Sequence, residues 1–314
     1  MHRLIRDVFQ AAFQDPELKR AHDGAFLASE RTGLAFTTDS FVVRPLFFPG
    51  GDIGSLAVHG TVNDLAMCGA EPLYLSCGFI LEEGLPLETL QRVALSMAKA
   101  AKEAGARVVT GDTKVVERGK GDGIYINTAG IGRRLVEPAP EPARVRAGDA
   151  ILVSGDIGAH GAAILSVREG LTFETALQSD SAAVWPQVKA LLDAGVELRC
   201  LRDLTRGGLA TTLNEIAASA NIGLSLDESA VPVRPETAAA CEVFGLEPLY
   251  MACEGRFAAF VPEAQAKKAL GILGSGALVG RAVERHPGEV RMTTRIGVER
   301  ILDMLSGEQL PRIC

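Results

Sequence analysis

The sequence lacks the patterns that usually reveal zinc sites, disulfide frameworks and membrane spans. Its 6 cysteines include no Cys-x-x-Cys pair, and its 5 histidines show no paired spacing, so neither zinc nor a disulfide-based fold is expected. Residues 1–9 have no unbroken apolar core of a signal peptide. The longest apolar stretch, 270–280, is broken by glycines and shorter than the roughly 20 apolar residues that cross a bilayer. We therefore expect a reduced, cytoplasmic protein with no membrane partner.

The chain also lacks an excess of positive charge. Lysine and arginine number 32 against 39 aspartates and glutamates, which gives a net charge of −7. A negative chain does not gain the counterion release that dominates nucleic-acid binding, and it is not attracted to anionic lipid. Small molecules and proteins are therefore the expected partners, and nucleic acid is not.

The length of 314 residues predicts two domains. Three prolines between Glu137 and Pro142 exclude a helix or an internal strand there, because proline lacks a backbone donor and fixes φ. Strand and helix patterns follow one another on both sides of this segment, which predicts an α+β fold. We place the domains at 1–140 and 144–301, with a flexible tail at 302–314.

Apolar periodicity predicts the elements of each domain. In the first domain it indicates strands at 34–39, 73–80, 107–110 and 124–130, and helices at 54–69 and 86–104. In the second it indicates strands at 150–154 and 256–261, and helices at 207–220 and 263–273.

Three carboxylates in the first domain are candidate metal ligands. Asp39, Asp64 and Asp112 lie beside predicted strand ends, and oxygen ligands without histidine or thiolate suit Mg²⁺, with ATP as the phosphate source. Lys114, next to Asp112, could neutralise charge on a transferring phosphoryl group. Each aspartate taken alone could instead cap a turn or a helix.

Two glycine-rich turns, 49–54 and 203–208, lead into predicted helices whose first N–H groups could bind phosphate. In the second turn, Thr205 could equally be a simple N-cap. The sequence has neither a Gly-x-Gly-x-x-Gly turn nor a Gly-x-x-x-x-Gly-Lys-Ser/Thr loop. An ATP site in this chain would therefore be of another type.

Two further residues could carry chemistry. Glu254 stands at the mouth of a predicted strand, where it could be a general base or could simply pair with Arg256. Cys314 is the last residue, and the small, polar and helix-breaking residues 306–311 precede it. About ten extended residues could move its sulfur over roughly 30 Å. The thiol is therefore either on a substrate arm or on a frayed terminus.

Five blocks of the sequence together resemble the HypE family of hydrogenase maturation factors. They are 38–54, 63–70, 78–84, 110–116 and the terminal Pro-Arg-Ile-Cys of 311–314. The carboxylates alone would suggest only the wider superfamily of aminoimidazole ribonucleotide synthetase, selenophosphate synthetase and thiamine-phosphate kinase. The resemblance implies the two-domain fold of that superfamily (PurM-like) and a homodimer formed through the first sheet.

The activity that this resemblance implies is ATP-dependent carbamoyl dehydration. A HypF carbamoyltransferase would load a carbamoyl group onto Cys314, and ATP would drive conversion of the carboxamide to a thiocyanate. The cyanide would then pass to iron on a HypC–HypD complex during [NiFe]-hydrogenase maturation. The implied fold, activity and partners are all consistent with the substrate-arm interpretation of the tail.

By position in the matching blocks, the resemblance assigns Mg²⁺ to Asp39, Asp64 and Asp112. It implies catalytic roles for Cys314 as the thiol, Glu254 as the base, Lys114 for the developing charge, and Asp64. The implied ATP-binding residues are the three aspartates, Lys114, Asp23, Thr113, Asp203, Arg206 and Gly207.

Two other functions remain possible on the sequence. The chain could be a non-catalytic carrier of a one-carbon unit on Cys314, or a metabolite kinase or ligase of the same superfamily, which would not need Cys314. Family members carry a His-Gly-Ser-Gly-Gly-like segment before the first helix, whereas this sequence starts within that helix. We expect that adding the segment tightens ATP binding.

Overall fold

The computed structural model describes residues 25–27, 33–170, 177–304 and 313–314. Its strands are β1 (Ala25–Leu27), β2 (Leu34–Phe41), β3 (Phe47–Phe48), β4 (Gly51–Asp52), β5 (Ala70–Glu82), β6 (Arg107–Val116), β7 (Ile124–Arg134), β8 (Asp149–Val153), β9 (Cys200–Asp203), β10 (Gly223–Asp227), β11 (Phe257–Pro262), β12 (Ala277–Val283), β13 (Val290–Thr293) and β14 (Glu299–Ile301). Its helices are α1 (Ile53–Met67), α2 (Leu87–Glu103), α3 (Ala159–Arg168), α4 (Trp185–Asp193), α5 (Gly208–Ala220), α6 (Pro235–Phe244) and α7 (Glu263–Leu273).

Two sheets organise these elements. The first has the order β1-β2-β7-β5-β6 and is antiparallel except for the parallel β5–β6 pair, and α1 packs on β2, β5 and β7. The second has the order β14-β13-β10-β12-β8-β11-β9, with α7 against β8, β11 and β12 and α5 against β10 and β13. The predicted two-domain α+β fold is confirmed. Within the described ranges, no helix has both the length and the hydropathy needed to cross a membrane.

Most predicted elements are present, but three carboxylates lie elsewhere than expected. β2 continues to Phe41 and β6 to Val116, so Asp39 and Asp112 lie within strands instead of after them. Asp64 lies on α1, near its carboxyl end. The sequence analysis did not predict α3, α4, α6 or the strands β9, β10, β12, β13 and β14.

The amino end of α1 is closed by its own cap. The Asp52 side chain accepts hydrogen bonds from the N–H groups of Gly54 and Ser55, and the Ser55 hydroxyl accepts one from the Asp52 N–H. This is a capping box, and its carboxylate would repel an anion. The cap already satisfies two N–H groups of the 49–54 turn, which counts against a phosphate site there.

We call the contact region between the two domains, where α1 meets the segment 179–184 and Glu254, the seam. The Asn63 side chain of α1, which is 2% exposed, holds it together. Its Nδ2 donates to the carbonyl oxygens of Ala182 at 3.0 Å and Glu254 at 3.2 Å, and its Oδ1 accepts from the Val184 N–H at 2.8 Å. The segment 179–184 thus packs on α1 although it follows the proline-rich boundary in sequence. One hydrophobic core, with Phe41 on one side and Phe257 on the other, continues across this seam.

We expect Asn63→Ala to lower the free energy of unfolding by about 3 kcal/mol. The reason is that two buried groups, the Glu254 carbonyl and the Val184 N–H, lose their partner, and each unsatisfied buried group costs about 1–3 kcal/mol before relaxation. Chemical denaturation at neutral pH measures the change. Lys99→Ala is the control, since Lys99 makes only an exposed ion pair with Glu103 at 3.9 Å. Such a pair is worth less than about 1 kcal/mol. Equal effects of the two substitutions would contradict the role of Asn63.

Candidate functional site in the seam

The carboxyl terminus of the chain is seated in the seam. The Val42 N–H donates to a terminal carboxylate oxygen of Cys314 at 3.2 Å, and His160 Nε2 is 2.7 Å from the Ile313 carbonyl oxygen. The Ile313 side chain is 8% exposed and belongs to the shared core. The terminal residue Cys314 is half-buried in this position. Residues 305–312 of the predicted flexible tail, 302–314, lie outside the described ranges.

Acidic groups and one guanidinium surround the Cys314 thiol. Burial raises the pKa of the thiol far above its usual value, the Glu254 carboxyl raises it further, and the Arg206 guanidinium opposes the shift. Arg206 also lies 4.0 Å from an Asp39 carboxylate oxygen. Burial raises the pKa of Asp39, while the Ser40 N–H and Arg206 act against this effect. The thiol is therefore protonated in this position and is a poor nucleophile.

Glu254 is buried beside the thiol and is only partly hydrogen bonded. Burial raises its pKa well above the usual value, and the negative charges of Asp203, Asp39 and Asp180 add to that shift. Its N–H donates to Asp180 Oδ1 at 2.9 Å, whereas its Oε1 accepts no hydrogen bond from any described residue. One carboxyl oxygen of Glu254 is therefore without a hydrogen-bond partner among the described residues, while the Cys314 thiol interacts with the same carboxyl group.

The alternative in which Glu254 simply pairs with Arg256 is wrong. Arg256 donates through Nη2 to Asp156 Oδ1 at 3.0 Å and through Nε to the Asp156 carbonyl oxygen at 3.0 Å. Asp156 also pairs with Arg234 at 2.8 Å. A separate ion-pair cluster thus occupies Arg256.

The turn between β9 and α5 brings Arg206 to the seam. Gly207 is the N-cap of α5 with φ of 72°, a left-handed conformation that favours glycine, and no side chain caps the helix. The Thr205 hydroxyl donates to Asp203 Oδ1 at 3.4 Å instead, so the N-cap alternative for Thr205 is wrong. The Gly208 N–H donates to the Thr205 carbonyl oxygen at 3.1 Å, and no described side chain caps the N–H groups that follow it, next to Arg206.

Asp39 and Asp64 lie together on the side of the first sheet that faces α1. Thr37 and Asp39 share that side of β2 because side chains alternate along a strand. The Thr37 hydroxyl donates to Asp64 Oδ2 at 2.7 Å. Two carboxylates are therefore on the same side of the seam as the thiol and Arg206.

Asp112 lies on the edge strand β6, away from this pair. It makes an ion pair with Lys114 at 2.8 Å, and both side chains are about 70% exposed. β7 and β5 separate β6 from β2, so at about 4.8 Å per strand the two strands are roughly 14 Å apart. One ion cannot bind both Asp39 and Asp112 in this conformation, and no group of three potential ligands among the described residues is close enough to hold a metal. The predicted three-carboxylate site is therefore not assembled here.

Of the other predicted site residues, one lies on the exposed strand β6 and one at the seam. Thr113 lies on exposed β6 with Asp112 and Lys114, whereas Asp203 ends β9 at the seam. Asp23 lies outside the described residues. The sequence analysis missed His160, Ser179 and Asp180, because a lone histidine and a Ser-Asp pair carry no spacing signal. Only the fold brings them to the tail.

Two family models match the chain: the N-terminal domain of AIR synthase related proteins over residues 21–134 and the C-terminal domain over 146–293. The chain is 52% identical to carbamoyl dehydratase HypE of Cupriavidus necator over 322 aligned positions, covering 99% of this chain and 91% of that protein.

Two solved structures are also similar. A crystal structure of the hydrogenase maturation protein HypE in complex with ATP is 51% identical, with a TM-score of 0.88, 100% of this chain covered and 96% of the other. A crystal structure of a HypE–HypF complex is 42% identical, with a TM-score of 0.91, 96% of this chain covered and 99% of the other.

Asp180 gives the site a stability that depends on pH. Burial raises its pKa from 3.8 to about 6, so in this interval the folded chain binds more protons than the unfolded chain, and stability falls as pH rises. Asp180→Asn keeps the acceptor for the Glu254 N–H and removes the ionisation. We expect the stability of the variant relative to wild type to increase from pH about 4 to about 6 and then to level off, measured by denaturant unfolding. A constant difference across that interval would contradict the shifted pKa.

Proposed function

The chain belongs to the HypE family of AIR synthase related proteins, and we propose that it is an ATP-dependent carbamoyl dehydratase acting on its own Cys314. The reaction is R–S–C(=O)–NH₂ + ATP → R–S–C≡N + ADP + phosphate. The amide oxygen leaves with the phosphate, and the two protons on nitrogen are removed. The product thiocyanate would supply cyanide ligands for the iron centre of [NiFe]-hydrogenase.

The observation that carries this proposal is the position of Glu254 beside the terminal thiol. Its buried Oε1 has no hydrogen-bond partner among the described residues, and a carboxamide on Cys314 would bring N–H donors to it. Those donors favour the ionised carboxylate. A carboxylate whose pKa is raised by burial is also a stronger base toward the N–H protons. Glu254 is therefore the proposed general base.

ATP supplies the phosphoryl group that turns the amide oxygen into a leaving group. The residues of the seam fit a phosphate chain: Arg206 offers positive charge, and the uncapped start of α5 at Gly207 offers N–H groups. Asp203 positions this turn through Thr205. Asp112, Thr113 and Lys114 would join the nucleotide site only if β6 approaches it.

Mg²⁺ fits the seam as an ion shared with phosphate oxygens. In nucleotide sites it keeps several waters and is bound through one or two carboxylates. Asp39 and Asp64 lie on the correct side of β2 and α1 to provide them. When bound, the ion neutralises charge on the phosphate chain.

The proposed partners follow the relatives. One relative was crystallised as a HypE–HypF complex, so we propose that a HypF carbamoyltransferase loads Cys314 and that a HypC–HypD complex accepts the cyanide. A mere carrier would not need a buried carboxyl group against its thiol, and a kinase for a free metabolite would not need a seat for its own terminus. The geometry therefore favours the dehydratase over both alternatives.

We also propose a homodimer formed through the open face of the first sheet. Phe36, Ile131 and Tyr74 lie side by side across β2, β7 and β5. They are 39%, 40% and 43% exposed. The edge strand β6 is exposed along almost its whole length. A long exposed edge and an apolar row beside it are features that proteins normally cover.

Intact-mass measurement tests the proposed reaction. Carbamoylation should add about 43 Da at Cys314, and ATP should then remove about 18 Da as water, by the stoichiometry of a phosphoryl-activated conversion of an amide to a nitrile. Cys314→Ala should lose both changes. Glu254→Gln should keep the first change and slow the second at least about 100-fold, because it leaves the thiol intact but removes the base.

The other cysteines provide the control for this experiment. Cys68, Cys77, Cys200, Cys241 and Cys253 are all buried, so peptide mapping should find no carbamoyl group on them. Loss of water from the loaded Glu254→Gln chain at the wild-type rate would exclude Glu254 as the base. ATP hydrolysis without any loss of water would exclude the dehydratase.

For the dimer, we expect Ile131→Arg to give a monomer at micromolar concentration by light scattering, because a charge would be buried in the middle of the apolar row. Leu95→Arg is the matched control, since Leu95 is 71% exposed on α2, on the opposite layer of the first domain. A wild-type chain that is monomeric under these conditions would contradict the proposed interface.

A further inference from the structure

We propose that His160 is the positioning residue that seats the carboxyl terminus, by donating a hydrogen bond from Nε2 to the Ile313 carbonyl oxygen. The role of the bound thiol rests on the proposed function, but the binding of the tail by His160 does not. It can be tested without ATP, a carbamoyl donor or any partner protein.

His160 lies in the first turn of α3 and is completely buried. Its Nε2 is 2.7 Å from the Ile313 carbonyl oxygen, and its Nδ1 is 2.7 Å from the Ser179 hydroxyl oxygen. The Phe48 ring packs edge-on against the imidazole, with 5.5 Å between ring centroids. Both nitrogens and the ring itself are thus held in place.

The neighbours of His160 determine which nitrogen carries the proton. The Ile313 carbonyl oxygen can only accept, so its 2.7 Å contact with Nε2 requires the proton on Nε2. The Ser179 hydroxyl, which accepts the Ser181 N–H at 3.0 Å, then donates its own hydrogen to His160 Nδ1. Burial lowers the pKa of His160 to about 4, which keeps the ring neutral. The proton of the neutral ring therefore sits on Nε2, where it can only be donated to the tail.

A second anchor lies one residue further along the chain. The Val42 N–H of the first domain donates to a terminal carboxylate oxygen of Cys314 at 3.2 Å. With His160 holding the carbonyl of Ile313 and the core holding its side chain, three contacts fix the last two residues. In this position the thiol lies beside Glu254 and Arg206.

The segment that positions His160 is itself bound to the first domain. Ser179 donates its N–H to the Pro49 carbonyl oxygen at 2.8 Å, which holds the residue that bonds His160. Ser181 Oγ, 3.0 Å from His59 Nδ1 on α1, makes a separate contact that does not involve His160 or the Ser179 side chain. His160 is therefore positioned by a segment that the first domain holds. A single donor lost at His160 leaves a buried carbonyl of Ile313 unsatisfied, which favours departure of the tail.

The test measures how fast iodoacetamide alkylates Cys314 in the free full-length chain, followed by intact mass. The seated thiol is half-buried and has a raised pKa, so it reacts slowly, and faster alkylation reports a larger unseated fraction. In His160→Gln the side-chain amide N–H replaces Nε2 and can still donate to the Ile313 carbonyl oxygen. In His160→Asn the shorter amide replaces Nδ1, so it reaches Ser179 but not the tail. We expect alkylation about tenfold faster in His160→Asn and within about twofold of wild type in His160→Gln.

Two serine variants make the test independent of changes at position 160. Ser179→Ala removes the hydroxyl that keeps the proton on Nε2 and should also speed alkylation of Cys314. Ser181→Ala removes only the contact with His59, keeps the N–H to Ser179, and should leave the rate near wild type. Unfolding midpoints confirm that the compared variants are folded.

Wild-type alkylation rates in both His160→Asn and Ser179→Ala would overturn the proposal, as would equal acceleration in His160→Asn and His160→Gln. The outcome is separable from the proposed function. If the alkylation pattern holds but the loaded chain loses no water with ATP, the dehydratase fails and the seating stands. If water is lost at the wild-type rate and alkylation is insensitive to His160, the seating fails and the dehydratase stands.

Discussion

The three hydrogen bonds of the buried Asn63 side chain are the interaction on which the arrangement around the thiol depends. One amide on α1 binds the carbonyl oxygens of Ala182 and Glu254 and the N–H of Val184. It therefore fixes the backbone that carries the proposed base together with the segment that reaches the tail. The first sheet contributes Val42 and Asp39 to the same place. The site exists only where the two halves meet, so its chemistry depends on their packing and not on either half alone.

Local patterns in the sequence could predict the elements that form by local rules. α2 has an apolar stripe and a glycine stop, and α1 has buried positions at helical spacing, so both were predicted to within two residues. α3 was missed because nearly all of its residues are buried, which leaves no polar face to show a helical period. The extension of β2 and β6 was missed because Asp39 and Asp112 read as strand ends, whereas strand pairing with β7 and β5 overrides that local signal.

The chemistry of the site was only partly predictable for the same reason. Glu254, Arg206 and Cys314 could be selected as candidates from residue type and position. That they meet is a fact of tertiary structure, as is the pairing of Arg256 with Asp156 that leaves Glu254 beside the thiol. The separation of Asp112 from Asp39 follows from strand order, which no spacing along the chain encodes.

The number of hydrogen-bond donors on the tail changes at each stage of the proposed reaction. The strength with which the seam binds the tail therefore changes from stage to stage. A free thiol is a weak donor, and burial makes it a poor nucleophile there, so loading by a second protein requires the thiol to leave the seam. A carboxamide on sulfur carries two N–H groups, one of which would satisfy the buried Oε1 of Glu254, so the loaded tail is favoured in the seat. A nitrile has no donor at all. Dehydration thus removes the bond to Glu254 that distinguished the loaded tail, and the product keeps only the contacts that also hold the free thiol, so it is bound less firmly than the substrate from which it forms.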